Sequence, residues 1–181
     1  MDKTISMNDI SSFITAISSL LAAVSVVIGG VFTWLQWRKT TALKRADYIK
    51  ELTMKWQSDQ EIKKITYLID YSERWYSADF HCGGDLEKEV DATLSYFSYI
   101  CYLNEKKIIS KDEFRFLEYK VARILQSSDV QNYFYNIYHF AKKFGKEMSF
   151  YYLFVYGEKN NFFDKEFYNV NSKVYPHCLN F

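Results

Sequence analysis

The hydrophobic and polar positions follow three regimes along the chain. From Ile10 to Trp37 there is no Asp, Glu, Lys or Arg. As a helix this run would rise about 42 Å, against a bilayer hydrocarbon core of about 30 Å, so residues 10–37 are expected to form a transmembrane helix. A cleaved signal peptide would want positive charge ahead of a shorter apolar region, whereas Asp2 and Asp9 offset Lys3. The basic residues Arg38, Lys39, Lys44, Arg45 and Lys50 follow at once. By the positive-inside rule they place the C-terminal side in the cytoplasm, with Trp34 and Trp37 at the inner interface and residues 1–9 as a short periplasmic N-terminus.

Within the apolar run, Ser11, Thr15, Ser18, Ala22, Ser25, Gly29, Phe32 and Gln36 recur at alternating spacings of four and three. They form one heptad stripe of mostly small or polar residues. Hydroxyls find no partners in lipid, so the stripe should face other helices or water while Leu20, Leu21, Val24, Val27, Ile28 and Val31 face acyl chains. One reading is a packing seam in a homo-oligomer or with another protein. The sharper one has three or more copies turning the stripe toward a central pathway, with Asp9 as a carboxylate ring and Phe32 as a constriction.

The second regime, 38–57, lacks Gly and Pro and suits a basic stalk helix whose charged face is solvated or lies against anionic lipid. The third, 58–156, has helical periodicity. Three capping boxes, Ser58 with Glu61, Ser110 with Glu113 and Ser128 with Gln131, predict helix starts. Behind them lie Ile62, Ile65, Leu68 and Ile69, then Phe114, Leu117, Val121 and Ile124, then Val130, Tyr133, Phe134, Ile137, Tyr138 and Ala141, the last helix stopping near Gly145. A further helix, about Leu86 to Lys106, turns Val90, Leu94, Phe97 and Cys101 inward. Phe150 to Tyr156 fits a buried helix better than a strand, and 157–181 reads as an aromatic docking tail. The fold class is therefore all-α: one N-terminal transmembrane helix, then a cytoplasmic helical bundle with an aromatic C-terminal tail.

Composition narrows the chemistry. Sixteen Tyr, 15 Phe and 4 Trp rule out ordinary disorder, and 6 Gly with 1 Pro disfavour a many-turned β fold. Residues 38–181 hold 22 basic and 20 acidic residues, a net of +2, which excludes a strongly basic polymer binder. Neither a phosphate-binding glycine loop nor a hydrolase or metalloprotease motif is present, so no enzyme activity and no cofactor are expected. The dipeptides His81-Cys82 and His177-Cys178 hold zinc-compatible atoms, but adjacent ligands depart from structural zinc spacings, and no metal site is expected.

Binding chemistry is the better prospect. On the helix after Ser128, Tyr135, His139, Lys142 and Lys146 fall on one stripe away from the apolar set, with Lys143 beside them. A ring beside ammonium groups suits single-stranded nucleic acid or a nucleotide, bases stacking and phosphates meeting Lys. The plainer account is that the cations answer the helix macrodipole while Tyr135 packs on a neighbour.

The passage Leu103-Asn104-Glu105-Lys106-Lys107-Ile108-Ile109-Ser110-Lys111-Asp112-Glu113-Phe114, followed by Asp129-Val130-Gln131-Asn132-Tyr133-Phe134, together with the single span and basic stalk, resembles a bacterial family. These are small single-pass membrane proteins with a helical cytosolic domain, some encoded in phage-defence loci. The layout is also similar to the membrane effector of the Hailong defence system, in which single-stranded DNA holds a channel closed. The resemblance covers most of residues 10–145 and rests on layout. It implies an oligomeric bacterial inner-membrane effector with a ligand-controlled pore and antiviral role, sensing single-stranded DNA or a nucleotide. The alternative is a non-conducting anchor that recruits a cytosolic protein partner.

Overall fold

The computed structural model describes residues 7–71 and 74–180, apart from the side chains of Met7, Asp9 and Ile10. Asp9, expected as a carboxylate ring, thus lies outside the described residues. Six α-helices are present and no strand among the described residues: α1 (Met7–Ser58), α2 (Gln60–Asp70), α3 (Asp85–Glu105), α4 (Lys111–Gln126), α5 (Ser128–Lys143) and α6 (Tyr151–Lys159). The chain is all-α. It divides into two compact units, Met1–Tyr48 and Ile49–Phe181.

In the first unit, α1 exposes Leu20, Leu21, Val24, Val27, Ile28 and Val31, and its most apolar window has no buried residue. It is long and apolar enough to cross a membrane. The guanidinium of Arg38 lies 4.9 Å from the centre of the Trp34 ring, a cation on an aromatic face at the polar end of the run. Helix α1 continues without a break from the apolar run through Thr40–Trp56, a stretch that contains neither Gly nor Pro.

In the second unit, Ile49 and Leu52 are buried, and the Tyr96 hydroxyl donates to the Leu52 carbonyl. Helix α3 packs on α2, α4 and α6, while α4 also meets α2, α5 and α6. Ile65, Val90, Leu94, Phe97, Leu117, Val121 and Phe134 are fully enclosed between them. Each such side chain contributes on the order of 1.5–3 kcal/mol relative to exposure.

The helix starts differ in chemistry from the capping-box reading at two of three places. Ser110 accepts from Glu113 N while the Glu113 side chain accepts from Ser110 N, a complete box. Ser58 instead closes α1, donating to the Met54 carbonyl, and Asp59 caps α2 by accepting from the amides of Glu61 and Ile62. A carboxylate one residue nearer the helix outcompetes the hydroxyl at this N-terminus. Ser128 opens α5 with Ser127 as its cap, but Gln131 reaches away to donate to the carbonyls of Leu125 and Phe162.

Three helices end in the same way. After α5, Gly145 at φ +60° lets Lys146 N donate to the Ala141 carbonyl and Gly145 N to that of Lys142, a Schellman closure. After α6, Asn161 takes the left-handed position and Phe162 N returns to the Gly157 carbonyl; after α3, Lys107 takes it and Ile108 N returns to Leu103. The same closures explain why these helices stop without proline.

Candidate functional site

The stripe residues Ser11, Thr15, Ser18, Ala22, Ser25, Gly29, Phe32 and Gln36 are all exposed on α1. A Cβ added at Gly29 would meet nothing within 4 Å. The hydroxyls are less needy than the sequence suggests. Thr15 donates to the Ser11 carbonyl at 2.9 Å and Ser25 to the Leu21 carbonyl at 2.9 Å. Their donor hydrogens are therefore satisfied within the helix itself, which removes the argument that hydroxyls must seek water or a neighbouring helix.

The five candidate ligand residues separate into two groups. Tyr135 is fully buried and His139 only 4% exposed. They do not stand on an exposed stripe, and the physical reason is the segment after α6. Tyr135 donates its hydroxyl to the carbonyls of Asn169 and Val170, and its ring stacks on Tyr175 at 4.9 Å. His139 Nε2 lies 3.0 Å from the Phe167 carbonyl, so this nitrogen carries the proton. Burial pulls the His139 pKa down, with help from Lys142 and His177 and against that hydrogen bond, so the ring is neutral near pH 7.

Asn136, also fully buried, fastens the same segment. Its Oδ1 accepts from the amides of Cys178 and Leu179 at 2.7 and 3.1 Å, and its Nδ2 donates to the Pro176 and Asn132 carbonyls. Phe163 and Phe167 stack at 4.4 Å and continue the contact toward Phe154.

Lys142, Lys143 and Lys146 remain exposed at the C-terminal end of α5. Here the structure assembles rings that the periodicity did not assign to the site. Tyr138, expected inward, is only half-buried, and the Lys142 ammonium lies 5.8 Å from its ring centre. Tyr138 meets Tyr168 edge-on at 5.9 Å. Two cavities open at this ring pair. One, about 310 Å³, is lined by His139, Lys142, Lys143, Tyr168 and Val170. The other, about 580 Å³, involves Tyr138, Lys146, Glu147, Tyr151, Tyr152 and Phe154. Tyr168 donates to Glu158, and burial followed by that carboxylate pushes its hydroxyl up to about 12. It therefore stays protonated.

The two His-Cys dipeptides do approach one region. Tyr76 Oη lies 2.9 Å from His81 Nε2, His81 Nδ1 is 3.5 Å from Glu87, and the Cys178 thiol lies near the Tyr76 hydroxyl. Nearby, burial and the Glu87 charge raise the Asp91 pKa despite a 2.7 Å hydrogen bond from Tyr133 and the proximity of His81. Among the described residues no group of three or more His, Cys, Asp or Glu could hold a metal ion.

This geometry offers aromatic surfaces beside three ammonium groups, a setting for an anionic planar ligand. No family model matches the chain, and comparison with curated proteins and with solved structures gives no match.

Proposed function

We propose that this protein is a single-pass inner-membrane effector in which several copies surround an ion pathway and the cytoplasmic bundle senses a nucleotide or single-stranded nucleic acid. The observation that carries the membrane assignment is the uncovered apolar surface of α1 above a basic flank beginning at Arg38. The ligand end rests on Lys142, Lys143 and Lys146 beside the partly exposed Tyr138 and the two cavities there.

A second reading has its own support. Because the Thr15 and Ser25 hydroxyls donate within α1, the stripe serves equally as a dry packing seam in a non-conducting anchor that recruits a cytosolic partner. Ion flux through liposomes containing the full chain separates the two. Leu at positions 25 and 29 meets no intrachain obstacle at Gly29, so the helix itself accepts the change. Under the effector reading, Ser25→Leu with Gly29→Leu abolishes flux and leaves ligand binding intact. Absence of flux in the unsubstituted protein under every ligand condition, with partner capture retained, refutes the pore.

A further inference from the structure

We infer that the larger cavity at the end of α5 is a pocket for one nucleotide whose base carries an amino group. This rests on the nucleotide-sensing reading above and makes it specific. The volume, about 580 Å³, suits a single nucleotide and is too small to enclose an oligonucleotide. Its walls are aromatic. Tyr138 stacks on Phe154 at 5.5 Å, Tyr151 meets Tyr152 edge-on at 5.3 Å, and Tyr152 is backed by Tyr102 at 4.9 Å. Tyr151 keeps about half of its surface open, 53%, and so offers a ring to an incoming base.

The polar groups are few and of opposite sign. Lys146 provides one ammonium group, held at the mouth by the Schellman closure through Gly145. Glu147 supplies one carboxylate, whose oxygens accept hydrogen bonds. An uncharged apolar ligand would leave both without partners, and a simple anion would be repelled by Glu147 while ignoring the rings. A ligand with a flat π face, a donor edge and an anionic end matches all three features: the base stacks on tyrosine, its exocyclic amine donates to Glu147, and its phosphate meets Lys146. Further phosphates would reach toward Lys142 and Lys143, which line the adjoining cavity.

The test is calorimetric titration of the full chain in detergent with adenosine monophosphate, guanosine monophosphate, uridine monophosphate, adenosine and inorganic phosphate. The amino-bearing adenosine and guanosine monophosphates should bind more tightly than uridine monophosphate, and inorganic phosphate weakly. Tyr151→Ala should weaken the nucleotide about tenfold or more, while Tyr151→Phe retains binding. Lys146→Gln should weaken adenosine monophosphate and spare adenosine, and Glu147→Gln should narrow the gap to uridine monophosphate. Unchanged melting temperatures establish that the variants fold. Binding of inorganic phosphate as tight as the nucleotide, or indifference to Tyr151→Ala, overturns the pocket. Binding of a single-stranded oligonucleotide with no mononucleotide binding also overturns it, while leaving the effector reading intact. Nucleotide binding without any effect on ion flux does the reverse.

Discussion

Replacing Asn136 with Ala probes what holds residues 176–179 on the bundle. The amide makes four hydrogen bonds, three of them to residues 176–179, and is fully enclosed. A net value of about 0.5–1.5 kcal/mol per bond gives a cost of roughly 2–6 kcal/mol if the segment stays in place with unpaired groups. If the segment instead lifts, its amides recover water and the cost falls toward the lower figure, but Tyr135 and His139 lose cover. Thermal unfolding of the full chain in detergent measures the first effect, and amide hydrogen exchange at Cys178 and Leu179 the second. Asn136→Asp retains the two acceptor contacts and should protect those amides more than Ala does. A melting temperature and exchange rates unchanged by Asn136→Ala would refute the assignment of Asn136 as the fastening residue.

Other perturbations follow from single contacts. A methyl group at Gly157 would lie 2.6 Å from the Phe163 ring and 3.2 Å from Leu125, so Gly157→Ala should destabilise the bundle by about 1–3 kcal/mol in thermal unfolding. Lys107→Gly should stabilise it by about 0.5–1 kcal/mol, because the left-handed φ of 56° carries a Cβ penalty that glycine avoids. Burial alone would raise the Asp70 pKa, but hydrogen bonds and charges from Lys120 and Arg123 bring it below its usual value. Its contribution is therefore complete above the ordinary carboxylate range, about pH 4, and is lost as pH falls through the lowered value; an Asp70→Asn variant should show a shallower acid-unfolding curve. His139 is a base held neutral by burial, so folding stability should drop as pH falls below about 6.5, and His139→Gln should flatten that part of the profile.

Helix positions were readable wherever one face alone was apolar. Ile62, Ile65 and Ile69 on α2 and Phe114, Leu117, Val121 and Ile124 on α4 are buried as their spacing predicts, while Leu68, expected with them, is only half-buried. The ends were readable where a single residue type was available, as at Ser110 and Gly145, and misread where Asp59 competed with Ser58. The site was harder. Helix α5 carries Tyr133, Phe134, Tyr135, Tyr138 and Phe140, so rings occur around nearly its whole circumference and periodicity cannot choose the outer one. What decides is the irregular segment from Phe163 to Leu179, which covers Tyr135 and leaves Tyr138 at the edge. Tyr151 and Tyr152 join them through chain reversal after Gly145, which no local pattern encodes.

The dependence of α5 on residues 163–179 also sets an order of events during synthesis. A ribosome produces the apolar stretch of α1 before the bundle helices, and only after those the phenylalanines and backbone groups that enclose Tyr135, Asn136 and His139. Until residue 179 has emerged, one side of α5 has no cover, and the bundle cannot complete its core however long translation pauses earlier. On the membrane reading, targeting of the apolar stretch is thus settled while the domain behind it is still open, so the nascent chain reaches the bilayer before residues 163–179 have closed over α5.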